Sequence, residues 1–157
     1  MIFLLISIVI PAAVYICLPI VIERLTGKRP ARDVILIIAC VVYFLSWFLP
    51  SPLIHGHNTS FTTHFIGGGV FSGLLWWYIK RHLQWSAAPV LELVSLLAFV
   101  SLFGLANEIF ELIVVELKVV TTLSLTDTSW DLLANTLGAL LFWLVYRLFL
   151  KVAFKNN

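Results

Sequence analysis

An amide and two carboxylates lie within five residues in the middle of a hydrophobic stretch. Asn107, Glu108 and Glu111 interrupt the run LELVSLLAFVSLFGLANEIFELIVVEL. A charged side chain at the centre of a bilayer costs roughly 3 kcal/mol or more, so such residues face a protein interior or a water-filled cavity. At about 100° per residue, the three side chains share one face of a helix. The pattern predicts a polar pocket inside a membrane protein.

Two other segments bring polar residues that could complete this pocket. His64 begins the sequence HFIGGGVFSG, and Asp131 and Asn135 lie one helical turn apart in WDLLANTLGA. Glu108 and Glu111 are also one turn apart, and two carboxylates so close in a low-dielectric setting cannot easily both ionise. One of them is therefore expected to act as an acid or a base near neutral pH. The candidate catalytic residues are His64, Glu108, Glu111, Asp131 and Asn135.

A divalent metal is the cofactor that these residue types suggest. Imidazole nitrogens and carboxylate oxygens are zinc ligands, and a catalytic zinc keeps one position open for water. A metal such as zinc is therefore predicted at His64, Glu108, Glu111 and Asp131. Alternatively, His64 hydrogen-bonds to a buried carboxylate without a metal, and both interpretations stay open.

Purely structural roles also account for some of these residues. A protonated glutamate that hydrogen-bonds to Asn135 would join two helices. The sequence Thr128-x-x-Asp131 has the form of a capping box, which would start the last helix there. Capping does not explain Asn135, because it lies a full turn further along the helix. His55 and His57 are interpreted as solvated loop residues.

The composition is that of an integral membrane protein. The chain has 157 residues, 61% of them hydrophobic and 11% charged, with a mean hydropathy of +1.04. A soluble domain of this size needs far more polar residues. The formal charge of +2 is too small to indicate nucleic-acid binding. The expected fold is an all-α, polytopic membrane bundle that forms one domain over residues 1–157.

A hydrocarbon core needs about 20 helical residues per crossing, and the chain offers five such segments. The predicted spans are about 1–22, 34–50, 61–79, 90–118 and 131–150. Basic residues collect on cytoplasmic loops, and here they follow the first, third and fifth spans. The N-terminus is therefore predicted outside and the C-terminus inside, which places the pocket on the extracytoplasmic side. Whether 119–126 extends the fourth helix or covers the pocket as a lid stays open.

Small residues in the third span predict close helix packing. Gly69 and Gly73 are four residues apart, as are Gly68 and Ser72. Such small-xxx-small spacing lets membrane helices approach closely. The spacing is compatible with a homo-oligomer, with a partner membrane protein and with packing inside one bundle.

Short motifs in this order resemble those of VanZ-like membrane proteins. They are H-F-x-x-G at His64, E-x-x-E at Glu108, and D-x-x-x-N-x-x-G-A from Asp131 to Ala139. The run DTSWDLLANTLGA is also similar to YjdF-type small bacterial membrane proteins, which carry a tryptophan before that aspartate. The resemblance covers roughly residues 58 to 145. It implies a cell-envelope role, which in VanZ-like proteins is linked to glycopeptide resistance.

Two positions depart from the usual VanZ-like pattern. That pattern has a glutamine where this chain has Glu111, and an arginine before the aspartate where this chain has residues 127–130, DTSW. The missing cation weakens the expectation of a bound phosphate. The extra carboxylate favours a pocket that binds a cation or metal.

Three functions compete at this point. The leading one is a cell-envelope membrane protein that acts on or binds a lipid or lipid-linked envelope substrate, as a hydrolase or transferase in its strongest form. The first alternative is a non-catalytic accessory or recognition subunit of a membrane complex. The second is a small cation or proton transporter. It ranks last because the inner halves of the spans carry no comparable polar residues.

Overall fold

The computed structural model describes residues 2–54, 57–117 and 125–155. The helices are α1 (Ile2–Thr26), α2 (Val34–Ser46), α3 (Phe61–Thr63), a π-helix (His64–Val70), α4 (Phe71–His82), α5 (Pro89–Glu116) and α6 (Leu125–Lys155). A minimal hairpin pairs β1 (Leu53–Ile54) with β2 (His57–Asn58) in antiparallel fashion. Because α3, the π-helix and α4 are continuous, they form one rod over residues 61–82, called the central rod below. The prediction of an all-α fold with five helical segments is confirmed.

Within the residues that the structure describes, three helical segments are long and apolar enough to cross a membrane. They are Leu4–Thr26, Pro89–Glu116 and Thr128–Lys151. This finding is compatible with a membrane protein. The second predicted span, 34–50, is shorter in the structure, because α2 ends at Ser46 and not near residue 50. Beyond it the chain turns, with the Phe48 N–H donating to the Leu45 carbonyl at 3.0 Å.

Local signals explain where several helices begin and end. Asp33 caps α2, since its Oδ1 accepts hydrogen bonds from the backbone N–H groups of Ile35 and Leu36. Pro89 occupies the first turn of α5, where a missing N–H costs nothing. Gly27 follows α1 with φ of +72°, the left-handed conformation that commonly ends a helix.

The central rod lies in the middle of the bundle. It packs against α2, α5 and α6, whereas α1 packs chiefly against α2. The buried apolar side chains between these helices include Leu36, Tyr78, Leu96, Val100 and Phe142. Every element that carries a candidate site residue therefore belongs to one three-helix core of the rod, α5 and α6.

Glycines let the central rod and α6 touch backbone to backbone. A Cβ on Gly69 would lie 2.6 Å from the Cα of Gly138, and a Cβ on Gly138 would collide with the Phe65 carbonyl. A Cβ on Gly73 would collide with the Phe142 ring. The predicted close packing of this span is confirmed, and it occurs within a single chain.

The last helix does not start where the capping box predicted. It begins at Leu125, so Thr128 and Asp131 lie inside the helix and cannot cap it. The capping prediction is wrong, and Asp131 keeps no structural role as a cap. His55 and residues 118–124 lie outside the described residues, as does the side chain of His57. Residues 125 and 126 of the disputed 119–126 segment belong to α6.

Candidate functional site

The three core helices each carry polar residues at two levels, 16 residues apart. The pairs are His64 and Lys80 on the central rod, Glu92 and Glu108 on α5, and Asp131 and Arg147 on α6. A helical rise of 1.5 Å per residue separates the two levels by about 24 Å. One level is acidic and the other contains most of the local cations.

The acidic cluster consists of Glu108, Glu111 and Asp131. One carboxylate oxygen from each lies within 4.8 Å of the other two. Glu108 and Glu111 come from one face of α5, and Asp131 comes from the facing side of α6, where only 3% of it is exposed. The Oε1 atom of Glu108 is buried and has no hydrogen-bond partner among the described residues. Three carboxylates of the predicted set thus converge on one point.

His64 joins the cluster through Asp131. Its Nε2 lies 3.4 Å from Oδ1 of Asp131, and only 14% of the imidazole side chain is exposed. His64 is the first residue of the π-helix, a geometry that is rare and is often found at functional sites. Phe61, one turn earlier, meets Trp130 edge to face at 6.5 Å between ring centroids. Asp131 is therefore the carboxylate neighbour of His64, at ion-pair distance, and the two side chains form no hydrogen bond with each other at this separation.

Asn107 holds the Glu111 carboxylate. Its Nδ2 donates to Oε1 of Glu111 at 2.6 Å, along one turn of α5. Asn107 also lines an apolar groove of about 420 Å³ between α1 and α5. The same amide therefore contacts both the acidic cluster and an apolar groove at the side of the bundle.

Asn135 forms a floor one turn below the acidic cluster. It is 4% exposed and sits between Gly68 and Gly104, each of which faces its amide with no side chain of its own. Its Oδ1 has no hydrogen-bond partner among the described residues. A hydrogen bond from a protonated glutamate to this oxygen is therefore not seen among the described residues. Glu111 instead receives its amide hydrogen bond from Asn107.

The acidic cluster fits a divalent cation. A cation that binds oxygens at 2.0–2.6 Å holds opposite ligands about 4–5 Å apart, and the cluster's spacing falls in this range. Hard carboxylate ligands suit Mg²⁺, Ca²⁺ or Mn²⁺, and they also occur around Zn²⁺. The orphaned Glu108 oxygen is a ready ligand. His64 does not belong to the converging group, so its geometry suits the support of Asp131 better than direct ligation.

The second polar level is an ion-pair cluster that was not predicted from the sequence. Its centre is Glu92, which is buried, with 4% exposed. Its Oε1 accepts a short hydrogen bond from Nζ of Lys80, and its Oε2 lies 3.4 Å from a guanidinium nitrogen of Arg147. The Lys80 ammonium also donates to the Tyr146 hydroxyl at 2.9 Å. The sequence did contain a signal for this cluster, because Lys80, Glu92 and Arg147 carry opposite charges at the same end of three predicted spans.

Apolar side chains separate the two levels. Val100 of α5 and Ala139 and Phe142 of α6 are buried between Asn135 and Glu92. The premise that polar residues are lacking at the helix ends opposite the acidic cluster is wrong, because the ion-pair cluster lies there. Ser72 of the central rod, midway between the two levels, is also buried, but the three residues from the other two helices are apolar. Among the described residues, this largely apolar layer disfavours a transporter.

Comparison of the chain with models of protein families, with curated proteins and with solved structures gave no match.

Proposed function

We propose that the chain is a multi-pass cell-membrane protein whose acidic cluster binds a divalent cation and, with it, the polar head of a lipid or lipid-linked envelope substrate. The observation that carries the proposal is the convergence of Glu108, Glu111 and Asp131 within 4.8 Å at one end of a bundle of apolar helices. Buried carboxylates are costly without a counter-charge. A cation bound between them supplies one.

The proposed topology has five crossings, with the N-terminus outside and the C-terminus inside. Nine of the ten basic residues lie on the cytoplasmic side in this arrangement. They are Arg24, Lys28, Arg29, Arg32, Lys80, Arg81, Arg147, Lys151 and Lys155. The acidic cluster then faces the extracytoplasmic side, where envelope precursors are assembled and trimmed.

A lipid is favoured as the substrate because apolar surface reaches the acidic cluster. The groove between α1 and α5 has about 420 Å³, within the range of about 300–1,000 Å³ that ligand pockets occupy. Leu5 and Val9 on one wall and Phe103 and Phe110 on the other offer contacts to an acyl or isoprenoid chain. Asn107 connects this groove to Glu111. A chain in the groove would therefore bring its head to the carboxylates.

In its catalytic form the protein is a hydrolase or transferase. A divalent cation held by Glu108, Glu111 and Asp131 would supply Lewis-acid chemistry, polarising a phosphoryl or carbonyl oxygen of the substrate. His64, supported by Asp131 at 3.4 Å, is placed to take a proton from an attacking water or hydroxyl. Asn107 holds the Glu111 carboxylate in position. Asn135 closes the floor of the site and excludes bulk water from below.

Metal content tests this proposal directly. The purified full chain is expected to carry about one divalent metal per chain, measured by mass spectrometry, and to bind it again after chelation. Glu108→Gln and Asp131→Asn should each lower the affinity about 10-fold or more, in line with the loss of one charged ligand. Glu116→Gln is the matched control, since Glu116 lies on the same helix and is exposed. It should leave binding unchanged.

Two results would overturn the cation site. One is a wild-type chain that is folded by size-exclusion chromatography yet binds no divalent metal. The other is an equal loss of affinity in Glu116→Gln and Glu108→Gln, which would indicate diffuse surface charge. Trials with lipid-linked phosphates and esters would follow a positive result. They would separate a catalytic site from a recognition site.

A further inference from the structure

A second cavity lies beside the ion-pair cluster, about 24 Å from the acidic cluster along the helices. Its volume is about 220 Å³. It is lined by Trp77, Lys80, Arg81, Gln84, Trp85 and Tyr146. We propose that this cavity binds the phosphate of an anionic phospholipid headgroup. The proposal does not depend on the function of the acidic cluster, because it rests on different residues at the opposite end of the bundle.

The described lining residues supply hydrogen-bond donors and include no carboxylate. The Lys80 ammonium has three protons, of which two go to Glu92 and Tyr146, so one remains for a ligand. The Arg81 side chain is 60% exposed and has only a 3.5 Å ion pair with Asp33. A guanidinium and an ammonium side by side are the groups that proteins use for phosphate.

The local charge favours an anion. Three cations lie in or next to the cavity, namely Lys80, Arg81 and Arg147. The carboxylates of Glu92 and Asp33 offset two of them. Of the charges around the cavity, one positive charge is therefore left over. An anionic phospholipid headgroup would neutralise it.

Gln84 keeps a side chain at a position that normally belongs to glycine. Its φ is +53°, directly after the end of α4, and the Trp85 N–H donates back to the Lys80 carbonyl at 3.1 Å, as in a Schellman motif. Left-handed conformations are unfavourable for residues with a Cβ. Such an outlier points to a function for the side chain itself. Gln84 is one of the residues that line the cavity, so its amide is an uncharged donor available beside the two cations.

The aromatic lining matches the depth of a headgroup. Tryptophan is enriched at membrane–water interfaces, where its ring lies among lipid and its N–H meets polar groups. Trp85 is 39% exposed and meets the buried Trp76 edge to face at 6.4 Å. In the proposed topology the cavity lies at the cytoplasmic interface, the leaflet surface where basic pockets bind anionic lipids.

Lipid retention by the full chain tests this site. The protein is reconstituted in vesicles of equal parts phosphatidylglycerol and phosphatidylcholine, released into mild detergent, and analysed by native mass spectrometry. The wild type is expected to retain one phosphatidylglycerol in preference to phosphatidylcholine. Arg81→Gln should lower that retention about fivefold, the effect of one interfacial cation. Lys28→Gln removes an exposed cation outside the cavity and should leave retention unchanged.

Gln84→Gly separates lipid binding from folding. Glycine fits the left-handed conformation, so the thermal midpoint should not fall, while the lost amide should lower phosphatidylglycerol retention. Equal retention of both lipids by the wild type would overturn the proposal. An equal loss in Lys28→Gln and Arg81→Gln would do so too, since it would indicate diffuse attraction. Complete displacement of the lipid by millimolar inorganic phosphate would assign the cavity to free phosphate instead.

Discussion

Substitution of Gly69 by alanine should force the central rod and α6 apart. A Cβ on Gly69 would lie 2.5 Å from the Asn135 carbonyl oxygen, 2.6 Å from the Gly138 Cα and 2.8 Å from the Ala139 nitrogen. All three neighbours are backbone atoms, so no side chain can move to make room. Because carbon contacts settle near 3.5–4.0 Å, the two backbones must separate by about 1 Å.

The expected change in the free energy of unfolding for Gly69→Ala is the difference between two opposing contributions. Overpacking in a close-packed interior costs up to about 3 kcal/mol, and backbone neighbours place this site at the upper end. Alanine regains about 1 kcal/mol of helix propensity over glycine. Gly69→Ala should therefore lower the free energy of unfolding by about 2 kcal/mol. Because α6 also carries Asp131, a 1 Å separation should weaken the binding of a divalent cation at the acidic cluster.

Gly104→Ala is the matched control for the same chemical change. Its Cβ would lie 3.1 Å from Nδ2 of Asn135 and 3.3 Å from Cδ2 of Leu132, which are ends of side chains and can adjust. The propensity gain should then equal or exceed the packing cost, leaving stability unchanged or raised by up to about 1 kcal/mol. Equilibrium unfolding in mixed micelles measures both variants. If Gly69→Ala is as stable as Gly104→Ala, the backbone contact is not what limits this interface.

Two further predictions concern the end of the bundle that holds the ion-pair cluster. Glu92→Gln should cost about 3–5 kcal/mol of unfolding free energy, because it leaves Lys80 buried without its carboxylate; Glu116→Gln, at an exposed position, should stay within about 0.5 kcal/mol. Similar losses for both, by the same unfolding assay, would contradict a buried ion pair. Tyr78→Phe should cost about 1 kcal/mol, since the fully buried hydroxyl donates to the Ala31 carbonyl at 2.8 Å. A Tyr78→Phe variant that unfolds with the wild type would show that water replaces the hydroxyl.

The helices, and the convergence of the acidic side chains at one level, could be predicted from the sequence. Apolar length marked the five helical segments, and the side of the bundle on which each polar residue would fall followed from counting along them. That count placed Glu108, Glu111 and Asp131 at one level, where the structure brings their carboxylates together. Whether the cluster is a functional site stays a prediction.

Features that depend on tertiary packing could not be predicted from the sequence. Thr128 and Asp131 have the form of a cap, yet α6 begins earlier, at Leu125. The π-helix over His64–Val70 could not be inferred either. Its glycines are poor formers of an ordinary α-helix, and they admit the α6 backbone at close range. The burial of Glu92 depends on Lys80 and Arg147, which lie on two other helices.

The 16-residue interval between the two polar levels sets the hydrophobic thickness that the bundle matches best. The interval spans about 24 Å, a little less than the roughly 30 Å hydrocarbon core of a typical bilayer. In the proposed topology, a thicker bilayer would draw one polar level into the acyl region, and the mismatch costs fractions of a kcal/mol per Å. The protein should therefore be most stable in bilayers of shorter acyl chains, and it should partition towards thin membrane regions.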